Sequence, residues 1–143
     1  WSGRKSKLWP SVVKELQDAE KLTAKNKGLT LTMAVNYGGR QEILDAAQAL
    51  VDKAANNKGS QRVTQAKFEK ELDLPDMPDG DLFIRSSGEI RTSNFLLWQA
   101  SYAEYLFMEE LWPDFTRETL WKAIADYSGR QRRFGAAVDS PLN

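Results

Sequence analysis

Cysteine and histidine are both missing from these 143 residues. Without Cys there is no disulfide framework, no thiolate nucleophile and no Cys-ligated zinc site. Without His the chain cannot supply a Ser-His-Asp triad, an imidazole base or a His metal ligand. An excess of one charge is missing too, since 20 basic residues balance 20 acidic ones. No broad basic face for nucleic acid is therefore expected, and any anion site must be local. No apolar run approaches the roughly 20 residues of a membrane-spanning helix, and no signal-peptide pattern is seen. A cytoplasmic setting is the expectation, with peripheral contact at a membrane left open. What remains for chemistry is carboxylates, arginines, hydroxyls, tyrosines and hard metal ions held through oxygen.

The residues that are present suit a soluble globular domain, with 41% hydrophobic and 28% charged side chains. The first residue is Trp1 and not Met, which leaves room for a longer protein around this stretch. Residues 1–8 are polar and basic, and Trp9-Pro10 opens a helix because Pro is tolerated at the first helical position. Val12, Val13, Leu16, Ala19 and Leu22 recur at helical spacing, and Gly28 is a natural stop. Leu29 to Val35 alternates and reads as a strand, ending in Asn36-Tyr37-Gly38-Gly39-Arg40. A second helix follows with Ile43, Leu44, Ala47, Leu50, Val51 and Ala54 on one side, ending near Gly59. Thr64 to Leu72 is a shorter helix, and Pro75, Pro78 and Asp79-Gly80 form a linker turn. Leu82-Phe83-Ile84 is a brief strand expected to be buried on both faces. Asn94 starts a short helix through about Gln99, and Tyr102 to Phe107 is either a third strand or a continuation of that helix. After the turn at Trp112-Pro113-Asp114, Thr116 caps a last helix that turns Leu120, Ile124 and Tyr127 inward. Strands alternating with helices give an α/β layer fold with a mainly parallel sheet.

Two places stand out chemically. In Arg85-Ser86-Ser87-Gly88-Glu89-Ile90-Arg91-Thr92-Ser93-Asn94 the first arginine falls where a strand ends, the edge at which open α/β sheets bind ligands. A guanidinium fork matches two phosphate oxygens, hydroxyls and free backbone N–H groups complete a cradle, and Ser93 precedes an expected helix N-terminus. The plainer reading is a surface turn whose arginines pair with Glu89. The second place is Glu104, a carboxylate among Tyr102, Ala103, Tyr105 and Leu106. Such a group needs an arginine partner, a metal ion or a raised pKa; a structural salt bridge or a solvent-facing edge position explains it as well. The Asn36–Arg40 stretch is read as a tight turn ahead of a second phosphate loop. Arg130, Arg132 and Arg133 suit a helix C-terminus, while Gly135 lets the backbone approach a partner closely.

From Asp81 to Phe115 the sequence resembles the cis-prenyltransferases, the undecaprenyl diphosphate synthase family. The family pattern is a hydrophobic strand into Arg, then Gly-Glu-x-Arg-x-Ser-Asn-Phe, Trp-Gln, Tyr-x-Glu and Trp-Pro-Asp. Arg85, Gly88-Glu89, Arg91, Ser93-Asn94-Phe95, Trp98-Gln99, Tyr102, Glu104 and Trp112-Pro113-Asp114 match it. Gly3-Arg4, the Asn36–Arg40 turn and Arg133-Phe134-Gly135 match as well, so the resemblance runs over residues 1–136.

The resemblance implies that Arg85, Arg91 and Ser93, with Thr92 in the same loop, bind the diphosphate of isopentenyl diphosphate. It implies that Glu104 helps coordinate Mg2+, and that Arg133 and Gly135 reach across a homodimer interface toward the partner's phosphate site. Family enzymes condense isopentenyl diphosphate with an allylic prenyl diphosphate. Their polyprenyl diphosphate product can associate with membranes and, in bacteria, serves as a cell-wall lipid carrier. The family's first half carries an Asp-Gly-Asn-x-Arg loop for the allylic diphosphate, and no such loop occurs here. Residues 1–136 are therefore expected to be the C-terminal portion of one cis-prenyltransferase domain, about half of it, with 137–143 a loose tail. Alone, the fragment is expected to be inactive. Two rivals stay open: a non-catalytic partner subunit of a heteromeric enzyme, and a phosphate-binding module without chemistry.

Overall fold

A computed structural model describes residues 1–56 and 62–130. It shows the expected α/β class, with helices and a parallel strand pair. Two compact units are distinguishable. One is Trp1–Met77 together with Asn94–Leu96; the other is Pro78–Ser93 with the described residues from Leu97 onward.

The first unit holds α1 (Pro10–Thr23), α2 (Gly39–Asn56) and α3 (Gln65–Glu69). Pro10 sits at the start of α1, as its missing N–H allows, and the helix ends at Thr23, short of Gly28. Its side-chain hydroxyl turns back to the Ala19 carbonyl at 2.9 Å. No residue of α1 is buried, and Leu22, one of the residues at helical spacing, is 85% exposed. The N-terminus of α2 is completed by a residue distant in sequence. Asn94 accepts the Gly39 N–H on its carbonyl and the Arg40 N–H on Oδ1, both at 2.8 Å. Two orphan donors of the first helical turn are thereby satisfied. Thr64 caps α3 by accepting the Lys67 N–H. The buried positions here are Gly39, Ala46, Leu72, Ser2 and Glu42.

The expected strand at Leu29–Val35 is not a strand among the described residues. Ladder bonds define a strand, and this stretch meets a neighbour only at the isolated parallel bridge between Ser2 and Ala34. Leu29 and Leu31 are 94% and 75% exposed. The expected end of the second helix near Gly59 lies outside the described residues.

The second unit holds β1 (Leu82–Arg85), β2 (Glu104–Phe107), a 3-10 turn at Trp112–Asp114 and α4 (Arg117–Ser128). β1 and β2 run parallel, with Leu82 opposite Glu104 and Arg85 opposite Phe107. The question left open at Tyr102–Phe107 is thus answered by a strand. Only Phe83 of β1 is buried, so the strand is not covered on both faces. Phe83 lies against Tyr105, ring centres 5.0 Å apart, and Tyr105 donates its hydroxyl to the Ala100 carbonyl. Thr116 and Thr119 cap α4 reciprocally. The buried residue of that helix is Ala123; Leu120 and Ile124, expected inward, are partly exposed.

The helix expected from Asn94 to about Gln99 does not form. Ser93, Asn94 and Leu96 have φ values of 49°, 64° and 45°. A right-handed helix requires negative φ, so three left-handed residues within four positions exclude it. The turn they make leaves the Asn94 side chain and carbonyl on the α2 N-terminus.

Candidate functional site

Arg85 closes β1, and the chain beyond it stays tied to the residues after β2. Met108 N–H donates to the Arg85 carbonyl at 2.8 Å, Gly88 N–H to Met108 at 2.9 Å and Ser87 N–H to Glu110 at 2.8 Å. Ser87 and Gly88, with φ of 72° and 65°, turn the chain. The positive φ at position 88 favours glycine; an added Cβ would meet Glu109 Oε2 at 2.8 Å, the movable end of a flexible side chain. These bonds correct one part of the sequence reading. The Ser87 and Gly88 N–H groups are already spent on carbonyls, so these two are not open to an anion. Ser93 likewise gains no helix N-terminus, because none forms after it.

Arg85 lines an open cavity of about 830 Å³ together with Ser86, Ser87, Thr116 and Arg117 on its polar side. Ile84, Trp112, Phe115 and Leu120 supply its apolar side. Neither Arg85 nor Arg117 makes a salt bridge to a carboxylate among the described residues. Glu89 also borders the cavity, and its carboxylate is held by Arg91. The surface-turn reading is therefore met at Arg91 and not at Arg85. Arg91, Thr92 and Ser93 do not line this cavity.

Glu104 begins β2, opposite Leu82, while Arg85 ends β1, opposite Phe107. Three residues of strand separate the two levels, roughly 10 Å, so the register does not set Glu104 beside Arg85. Its partner is Arg130, just past α4. Arg130 Nη1 donates to Glu104 Oε2 at 3.2 Å and to the Tyr105 carbonyl at 3.0 Å; Nη2 donates to Asp126 Oδ2 at 2.6 Å. The Asp126 and then the Glu104 carboxylate hold the Arg130 guanidinium above its usual range. The oddly placed carboxylate thus has an arginine partner. Its Oε1 accepts no hydrogen bond among the described residues.

An oxygen-only donor such as Glu104 suits Mg2+. Among the described residues, however, no group of three or more acidic side chains is placed to hold a metal ion. Glu104 fits one ligand position and does not make a site by itself. Arg133 and Gly135, the residues expected to reach a partner, and the tail at 137–143 lie outside the described residues.

The Asn36–Arg40 stretch is the tight turn it was read as, with Asn36 at φ 54° donating its side-chain amide to the Arg4 and Ser6 carbonyls. The cavity beside it, about 230 Å³, is lined by Glu42, Asp45 and Asp73 along with Arg4. Arg4 is engaged by Asp45, whose carboxyl it holds below the usual range. Excess acid makes this a poor place for phosphate. Tyr37 donates its hydroxyl to the buried Glu42, which also accepts the Asp73 N–H at 3.2 Å.

Sequence reasoning missed Arg117, Trp112 and Phe115 as cavity residues. The sequence marks Trp112 as part of a turn and Thr116 as a cap, as the structure shows, but no spacing rule links positions 112–117 to Arg85. The only available signal was the family's Trp-Pro-Asp match, which marked the turn without its neighbours.

The undecaprenyl diphosphate synthase family model of the prenyltransferases matches residues 1–135. A trans,polycis-polyprenyl diphosphate synthase specific for (2Z,6E)-farnesyl diphosphate, from Thermobifida fusca, is 56% identical over 99% of this chain and 51% of its own length. A decaprenyl diphosphate synthase of Mycolicibacterium smegmatis is 51% identical over 96% of this chain and 47% of its own. The crystal structure of lavandulyl diphosphate synthase from Lavandula x intermedia, in complex with dimethylallyl diphosphate, superposes with a TM-score of 0.88 at 39% identity. It covers 94% of this chain and 58% of that one. The chain thus spans about half the length of the curated relatives it matches. With a match that runs almost from end to end of the sequence, the chain belongs to the undecaprenyl diphosphate synthase family, the cis-prenyltransferases.

Proposed function

We propose that this chain is the C-terminal half of a cis-prenyltransferase domain, and that the full-length protein condenses isopentenyl diphosphate with an allylic prenyl diphosphate. The observation that carries the reading is Arg85, at the end of a parallel strand, lining a cavity and free of any salt bridge among the described residues. Its planar fork suits a diphosphate. Arg91, Thr92 and Ser93, in the loop that follows, complete the grip on the diphosphate of isopentenyl diphosphate. For Arg91 this means exchanging Glu89 for phosphate oxygens.

In the reaction the allylic carbon–oxygen bond breaks and its electron pair leaves with the diphosphate. The double bond of isopentenyl diphosphate supplies the pair for the new carbon–carbon bond, and a proton is then lost. Arg85 and Arg91 hold the nucleophilic substrate in place, so that its double bond meets the allylic carbon without a search in solution. Mg2+, when bound, supplies positive charge toward the departing diphosphate. Glu104 would hold it through one oxygen, in competition with Arg130, and the remaining donors would come from outside the described residues. Homodimer formation, with Arg133 and Gly135 reaching the partner's phosphate site, belongs to the same proposal, as does a product that can associate with membranes.

The Arg91–Glu89 pair favours a second reading, a phosphate-binding module without chemistry. The two part in the full-length protein. Arg91→Ala should raise the KM for isopentenyl diphosphate by about 10- to 100-fold, the worth of a charge-assisted contact. Glu104→Ala should abolish Mg2+-dependent condensation. Full activity in both variants overturns the enzymatic assignment, and wild-type protein that binds isopentenyl diphosphate without condensing it favours the module.

A further inference from the structure

The cavity at the end of β1 carries a residue outside the family motif. Arg117, the first residue of α4, lines it with Arg85, and no carboxylate pairs with either among the described residues. Two nearby acids are engaged elsewhere. Glu89 is held by Arg91. Glu118 is turned onto the start of its own helix, where its own backbone N–H and then Thr116 keep its carboxyl below the usual range. In the first turn of α4 the Thr119 N–H is already taken by the Thr116 hydroxyl. Two guanidiniums left facing solvent in one cavity repel one another, and a polyanion between them removes that cost. The lining is also apolar in part: Trp112 and Phe115 stack with ring centres 5.7 Å apart. At about 830 Å³ the space lies within the range of small-ligand sites.

We propose that Arg117 is a further diphosphate-binding guanidinium of the isopentenyl diphosphate site, beside Arg85 and Arg91, and that the Trp112–Phe115 stack is the wall for the substrate's carbons. This rests on the reading of Arg85 and Arg91 given above. The ligand chemistry that fits is a diphosphate with a short branched hydrocarbon, held at its head by Arg85, Arg117 and the Ser86 hydroxyl, with Arg91 joining once it exchanges Glu89 for phosphate oxygens. Thr116 stays committed to its helix.

The test is steady-state kinetics of the full-length enzyme at saturating allylic substrate, with inorganic pyrophosphate as a competing probe. Arg117→Gln should raise the KM for isopentenyl diphosphate by about tenfold or more and weaken pyrophosphate inhibition in parallel, with kcat little changed. Arg117→Lys should recover part of the loss, keeping the charge without the fork. Trp112→Ala should raise the KM for isopentenyl diphosphate while leaving pyrophosphate inhibition as it was, because pyrophosphate has no carbons to contact. A wild-type KM in Arg117→Gln, or a fall in kcat alone, overturns the inference. If Arg85→Gln also has a wild-type KM, the reading beneath it falls too; if only Arg117→Gln does, that reading stands.

Discussion

Tyr37 and Glu42 show how a single buried carboxylate is kept in this chain. Glu42 is 4% exposed and takes the Tyr37 hydroxyl and the Asp73 N–H. Burial first, and the Glu42 carboxylate second, hold the Tyr37 hydroxyl protonated well above its usual 10.0. The unfolded chain gives up this proton at a lower pH than the folded one. The contribution is therefore complete below pH 10.0 and is lost as pH rises beyond it. Tyr37→Phe should cost about 1–3 kcal/mol in urea unfolding at neutral pH, since a buried acceptor loses a donor. It should also flatten the fall in stability above pH 10.0, and an unchanged alkaline slope would contradict this. At this scale the sequence was legible in part. Arg85 and Glu104 were recognisable because a guanidinium at a strand end and a carboxylate among aromatics are each unusual. That Glu104 meets Arg130, and that Arg85 shares a cavity with Arg117, depends on how α4 returns to the strand pair. No local pattern encodes that return.

Elements were easier to read where the residues decide locally. Pro10 opens α1, Thr64 and Thr116 cap their helices, and Gly88 turns the chain after β1. Thr116→Ala should destabilise the second unit by about 1 kcal/mol in thermal or urea unfolding, because the Thr119 N–H loses its side-chain acceptor while the backbone half of the cap remains. No measurable change would mean that α4 is held by packing alone. The misreadings occur where tertiary partners decide. Ser-Asn before an apolar run suggests a helix start, yet Asn94 spends its carbonyl and side chain on the first turn of α2, and its neighbours take left-handed backbone to allow it. The alternation at Leu29–Val35 is real, but a ladder needs neighbours, and among the described residues only Ser2 provides one. Val12 and Leu22 repeat at helical spacing, yet α1 has no buried residue, because periodicity identifies a face without identifying what covers it.

At the scale of the whole molecule, the exposed apolar positions and the family comparison support the same account. Leu22, Leu29 and Leu31 stand open, and the chain spans about half the length of its curated relatives. The carboxylate cluster that a metal ion needs is not found among the described residues, and Glu104 meanwhile rests on Arg130. Under the proposed function, this half would contribute the grip on isopentenyl diphosphate and one metal ligand. Arg85 is the residue on which that claim depends, because it combines the strand end, the cavity and a guanidinium with no salt bridge among the described residues. The most direct measurement is kcat/KM for isopentenyl diphosphate in the full-length enzyme carrying Arg85→Gln, at saturating allylic substrate. The account predicts a fall of about 100-fold or more, as expected when a bidentate charged contact to the reacting substrate is removed. A kcat/KM equal to that of the wild type would contradict it.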